Sequence, residues 1–533
     1  MHDARADKQT VCTITVNSAD EKETFRRHLS ADKYQFVELV ERDRPDWLES
    51  ACRTGIRCDV LVISGHYDGG NEFFSDRLEA REFLPVAEME RVSCSDSCPG
   101  LFSKLKEVYL FGCNTLNPEA QRSTSAEVVR SLVREGKSPA EAARVASALN
   151  ARHGESSRDR MRQVFKDVPV IYGFSSVAPL GPTAASTLNR YFQTTGNGEV
   201  GSGRASSRML AQFAPHAMAV TRGITDADPH AGTRRDVCQF ADDRLSNAQK
   251  LGFVHSLLRR QTAEARMFLD RLERQAATLD DAARQPPDVA AALAAIAAGG
   301  DARDRFLDFA RDADAPAVRA RMFSLAGSFG WLSAEERRTE VIRMLGDLLS
   351  RNVVGAAEVD LACTLNKDGD LSVSSQRLPP TAADDGVAHA AVRACLGSAE
   401  GHARTLEGLL SSKEADVRVA QTYLRHHPID DVEELRDITA RVAQMNGPAA
   451  QVRALEALGR HRMSDPQSLE SLTRLYRVAQ TWNVQTAIAG ILIRADYSSL
   501  KGPEFVRTLQ EHRRKSPEGD DMIDALIRRL QAN

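Results

Sequence analysis

Short, uniformly apolar runs alternate with polar or amphipathic stretches over the first 225 or so residues. The runs predict strands at 11–16, 36–40, 60–64, 108–111 and 168–174. Several of these runs are rich in β-branched residues and show no in/out alternation, as expected of strands covered on both faces of a parallel sheet. Stretches near 20–29, 123–135, 139–152 and 183–191 carry helical spacing, and Ser138-Pro139-Ala140-Glu141 is a helix-start signal for the third. Strand followed by helix, repeated, is the rhythm of a doubly wound α/β fold. After residue 225 the apolar positions recur every three or four residues in segments rich in Ala, Leu and Arg, which predicts helix after helix. Three of them open alike, at 314–319, 414–418 and 448–453, each reaching a Val-Arg pair. Polar/apolar alternation around Asn366-Lys367-Asp368-Gly369 predicts one β-hairpin near 359–375 within this helical part. A calcium loop at the same place lacks acids at its first and twelfth positions, Thr364 and Ser375. The expected organisation is an α/β domain over 1–225, a helical connector over 226–300 and a helical-repeat domain over 301–533. An exposed loop is expected over 377–386 and a second junction within 282–300.

At 533 residues with 42% hydrophobic content, the chain is long enough for two or three cores. A formal net charge of −4 gives no electrostatic reason to expect nucleic acid. No apolar run approaches the roughly 18 residues of a spanning helix, and the opening MHDARADKQT has no apolar leader core. The cytoplasm is therefore the expected location, with no membrane partner. Nine cysteines, at 12, 52, 58, 94, 98, 113, 238, 363 and 395, are odd in number and irregular in spacing. Reduced thiols rather than a disulfide framework are expected. Cys94 and Cys98 form the one close pair, without a second pair to complete a zinc set. No cofactor fingerprint is present.

Two strand ends carry chemistry. The run 60–64 leads through Gly65 to His66, and the run 108–111 leads through Gly112 to Cys113, 47 residues on. In an open α/β sheet, sites form at the carboxyl ends of strands, so neighbouring strands would set the imidazole and the thiol across one crevice. A cysteine thiolate is an intrinsically strong nucleophile, and a histidine can protonate a leaving amine and later activate water. His153, in Arg152-His153-Gly154, is the alternative imidazole.

Residues 60–66 and 107–115 resemble the two active-site motifs of the caspase-like cysteine peptidases, and 110–115 is most similar to the bacterial CHAT branch of that clan. The resemblance implies a 2-1-3-4 strand order, Cys113 as nucleophile and His66 as general acid and base. Oxyanion donors would come from the backbone around Gly112 and Cys113 and from the turn Tyr67, Asp68, Gly69 and Gly70. Tyr67 stands where the family usually has glycine. Ser175 and Ser176, after the strand at 168–174, match the family's substrate-pocket wall. Phe111 occupies the position two before the cysteine where an acid often selects a basic residue, and Asp68, Glu72 and Asp76 are the nearest acids after the histidine. The Val-Arg helix openings resemble HEAT-type repeats. By resemblance, the chain would cleave a protein substrate, a gasdermin-like pore former among the candidates, in a regulated bacterial defence or cell-death setting, with the helical half recognising substrate or activator. Two other classes stay open: an inactive caspase-like scaffold, and a thiol used for acyl transfer or redox chemistry.

Overall fold

The computed structural model describes residues 8–39, 47–69, 72–75, 82–95, 98, 100–119, 125–134, 136–153, 156–195, 199–351, 354–372, 378, 386–461, 463–495, 502–515 and 521–532. The described chain divides into two compact units, 1–309 and 310–533.

The first unit contains nine strands among its described residues: β1 (Gln9–Thr15), β2 (Tyr34–Glu38), β3 (Val60–Ser64), β4 (His66–Tyr67), β5 (Glu72–Phe74), β6 (Phe83–Pro85), β7 (Glu107–Phe111), β8 (Val170–Phe174) and β9 (Met218–Thr221). Six form one sheet in the order β2-β1-β3-β7-β8-β9, parallel except for the antiparallel edge β9. The first five strands of that sheet lie within two or three residues of their expected positions, in the 2-1-3-4 order. Every residue of β3, β7 and β8 is buried. The pleat sends Ile14, Ile63, Leu110 and Ile171 to one face, where Met89, Met161 and Val164 cover them. It sends Val62, Tyr109, Tyr172 and Phe174 to the other, against Phe25, Leu188 and Phe192. Helices on both faces hold a continuous apolar run in the sheet. β4, β5 and β6 form a separate antiparallel sheet of three short strands that begins at His66; the sequence pattern does not reveal it.

Helices beyond residue 225 complete this unit. Helix Ala231–Ala241 packs on helix Val86–Cys94, and Arg271 of helix Leu269–Ala277 reaches Glu90 at 2.7 Å. Arg160 meets the same carboxylate at 3.2 Å. Burial would raise the pKa of Glu90, but Arg271 and Arg160 hold it below the ordinary value. Within 282–300, where a junction was expected, a turn leads through Pro286 into helix Pro287–Ala297, and Gly299 separates that helix from helix Gly300–Asp312.

The expectation of reduced thiols is corrected. Cys12 pairs with Cys58, Cys52 with Cys98, Cys94 with Cys238, and Cys363 with Cys395, at Cα separations of 5.6, 4.8, 5.1 and 4.6 Å. Three of the pairs join positions 46 to 144 residues apart. Their partners become neighbours only through sheet order and helix docking, so linear spacing carried no sign of them.

The second unit is helical. Helices Glu414–His426, Pro448–Leu458, Trp482–Leu492 and Asp521–Ala532 pack in succession along one row. Helices Val432–Val442, Pro466–Val478 and Gly502–Glu511 do so along another. The three Val-Arg openings start helices at Pro316, Glu414 and Pro448. The hairpin expected near 359–375 is absent over its described part: Ala356–Leu365 is helical, and a turn over 366–372 follows. Val359, Ala362 and Cys363 are the buried positions, spaced by three and one, so the helical period wins over β propensity. Gly369 takes φ +78°, and the Asn366 side chain accepts from the Leu371 amide at 2.7 Å while donating to the Cys395 carbonyl at 2.8 Å. The Asn-Lys-Asp-Gly signal was a turn, but one that caps a helix.

Candidate active site

β3 and β7 are adjacent and parallel, and their register pairs Ser64 with Phe111. The Gly65 amide donates to the Phe111 carbonyl at 3.1 Å, so His66 and Cys113 each stand two residues past the last paired position. Gly112 makes this approach possible. A Cβ there would lie 3.0 Å from the Gly65 carbonyl oxygen and 3.0 Å from Tyr67 Cβ, tight enough that one of them would have to give. The two strand ends are pressed together at a glycine one residue before the thiol.

After Cys113 the chain turns sharply. Asn114 adopts φ +59°, a conformation that asparagine tolerates better than most residues, and its amide donates to the Ser176 carbonyl at 2.7 Å. The buried Thr115 hydroxyl donates to the Gly112 carbonyl at 3.1 Å and accepts from the Phe174 amide at 3.0 Å. The Ala178 amide donates to Cys113 Sγ at 3.4 Å. The thiol is thus held against the loop that follows β8, and it is half-buried. That loop exposes Val177 and Leu180, 70% and 71% accessible, an apolar pair flanking the residue whose amide meets the sulfur.

His66 opens β4, where it pairs with Phe74, and its half-buried ring lies 5.4 Å from the Phe74 ring. Tyr67, in place of the family's glycine, points into the core against Phe73 and Gly112 and is 5% exposed. Burial pushes its phenol up to about 12, so it stays neutral. Gly69 takes φ +89°, and its carbonyl accepts from the buried Ser157 hydroxyl at 2.8 Å. Asp68 is exposed and accepts the Glu72 amide at 3.1 Å, closing the β4–β5 turn. Gly70, Asp76 and the side chain of His153 lie outside the described residues.

The expected pocket residues separate. Ser176, exposed, reaches the Cys113 turn through its carbonyl, which accepts from the Asn114 amide, whereas the Ser175 hydroxyl donates to the Ala217 carbonyl at 3.2 Å. Phe111 is instead a core residue, 5% exposed, with its ring near Phe174 and Phe213. It sits on the sheet's inner ladder, and a buried strand offers no wall to a ligand there.

One acid near this edge escaped the sequence reading. Glu21, in the first turn of helix Asp20–His28, is 3% exposed, interacts with Ser64 at the end of β3, and leaves one carboxylate oxygen without a hydrogen-bond partner among the described residues. Burial raises its pKa to about 7 against the weaker pull of its own backbone amide and the Ser64 hydroxyl. Acids in a first helical turn are ordinary helix starters, so nothing in the spacing marked this one.

The chain matches no protein-family model, no curated protein and no solved structure.

Proposed function

We propose that the chain is a cysteine peptidase in which Cys113 attacks the scissile carbonyl and His66 serves as general acid and base. The carrying observation is that Cys113 is the one unpaired cysteine of nine, and it stands two residues past the carboxyl end of β7 as His66 stands two past that of the adjacent β3. Attack by the sulfur forms a tetrahedral intermediate whose negative oxygen needs preorganised donors, which the main chain at the Gly112–Cys113 exit and the turn after His66 would supply. Collapse breaks the carbon–nitrogen bond as His66 protonates the departing amine. Water, deprotonated by the same imidazole, then cleaves the thioester and restores the thiol. The exposed Val177 and Leu180 offer apolar contact beside the sulfur, while the Phe111 position provides no acid for a basic side chain.

The fold suits a caspase-like assignment through its strand order and its paired site positions. In the second unit, two rows of stacked helices suit a HEAT-like solenoid, whose long surface would bind a protein substrate or activator. A gasdermin-like pore former in a defence pathway is the target class that the motif resemblance brings to this reading. Eight paired cysteines favour surroundings in which disulfides persist over the steadily reducing cytoplasm that composition suggested. Among the described residues no helix is long and apolar enough to cross a membrane.

The test compares wild-type, Cys113→Ala and His66→Ala proteins against a cell lysate, sequencing newly formed protein N-termini by mass spectrometry. New termini that vanish in both variants, with circular dichroism unchanged, support the peptidase. Cleavage retained in either variant removes the dyad.

A further inference from the structure

The fourth cysteine pair differs from the other three in its surroundings. Cys363 and Cys395, each 1% exposed, share their site with His427, and the two sulfurs and a ring nitrogen all lie within 4.8 Å of one another. Nε2 of His427 is buried and has no hydrogen-bond partner among the described residues, while its ring stacks on Tyr423 at 5.0 Å. Among the described residues, then, one imidazole nitrogen of a ring that adjoins both sulfurs has no protein group to replace its lost hydration.

The backbone favours a cation at the same point. Cys363 lies two residues from the end of helix Ala356–Leu365, Cys395 is the last residue of helix Val387–Cys395, and His427 is the C-cap of helix Glu414–His426. Three helix carboxyl ends therefore converge, each carrying about half a negative elementary charge in partial dipoles. The three helices pack on one another, and Asn366 ties the Cys395 carbonyl to the turn after the first of them. The donors stand on a rigid frame.

We propose that Cys363, Cys395 and His427 form a binding site for a borderline-soft divalent cation of the zinc class, occupied when the Cys363–Cys395 disulfide is reduced. A dithiol reductant supplies two electrons and two protons, leaves as its own disulfide, and converts the pair to two thiols. Binding of Zn²⁺ then releases two protons, forming two metal–thiolate bonds and one bond to neutral imidazole. Two thiolates balance the ion's charge, and water completes a tetrahedral set. The same three residues thus hold either a sulfur–sulfur bond or an ion, never both. This site is independent of the proposed peptidase chemistry and stands whether or not that reading holds.

The probe is Co²⁺ titrated into the full-length chain in the Cys113→Ala background, oxidised and reduced, followed by its thiolate-to-metal charge-transfer absorption. One equivalent should give the band only after reduction, and excess Zn²⁺ should bleach it. Cys363→Ser/Cys395→Ser should abolish it. His427→Gln, which keeps both thiols, should weaken Co²⁺ binding by more than the roughly tenfold that losing even an outer-shell partner costs. No band in the reduced chain overturns the proposal. So does a band of equal strength in the double serine variant, which would place the ion on other thiols, or unchanged affinity in His427→Gln.

Discussion

The two units hold themselves together over different distances along the chain. In the first, Cys94 bonds Cys238 across 144 positions and Glu90 meets Arg271 across 181. In the second, Arg436–Asp465, Arg441–Glu407 and Arg453–Glu414 span 29 to 39 positions, and Cys363–Cys395 spans 32. The difference follows from architecture, because a parallel sheet brings together strands separated by whole crossover connections, whereas stacked helices touch their near neighbours. A site built at the sheet edge therefore depends on the entire first unit. Damage to one stacked helix is felt chiefly by the helices beside it.

The largest stability effect should come from Glu90→Gln, which leaves Arg160 and Arg271 facing each other without their shared carboxylate. A loss of about 3–5 kcal/mol in urea unfolding is expected, together with loss of Cys113-dependent cleavage although Glu90 does not adjoin the thiol. A loss below about 1 kcal/mol would show that the first unit is less interdependent than its long-range pairs imply. Leu455→Ala, at a fully buried position of helix Pro448–Leu458, should cost about 2–5 kcal/mol. Hydrogen exchange should rise in that helix and in Glu414–His426 and Trp482–Leu492, while β3 and β7 keep their protection and short-peptide cleavage continues. Faster exchange in β7 would break the comparison.

The smallest effect is conditional on pH. Glu21 has a folded pKa of about 7 against an ordinary 4.5, so the folded chain holds a proton that the unfolded chain has released between those values. Its burial costs nothing below about pH 4.5, reduces stability as pH rises towards 7, and stays at full cost above. Glu21→Gln should thus raise the melting temperature at pH 8, by the equivalent of at most about 3 kcal/mol, and leave it nearly unchanged at pH 4.5. An equal shift at both values would assign the effect to packing.

In both units the sequence disclosed local periodicity and concealed the contacts between distant segments. β3 and β7 were legible because each is a local apolar run ending in glycine, and His66 and Cys113 follow those glycines directly. The approach of Gly112 to Tyr67, the small sheet begun by His66 and the Ala178 contact to sulfur depend on which strands adjoin, information no local window holds. Tyr67, a departure from the motif in the sequence, fills the core with its ring against Phe73. In the helical unit, Val359, Ala362 and Cys363 already had a helical period, but the Asn366–Gly369 turn and its polar neighbours imitated a hairpin. The cysteine pairs were invisible for the same reason that makes them informative, since each joins segments that meet only once the fold is complete.

The Cys94–Cys238 bond encloses β7, Cys113, β8 and the loop that holds the thiol within one covalent ring. A backbone cut anywhere between those two cysteines opens the ring without releasing a piece. The nicked protein would gain only the water of hydrolysis and migrate as an intact chain until its disulfides are reduced, so maturation by internal cleavage would be silent in non-reducing electrophoresis.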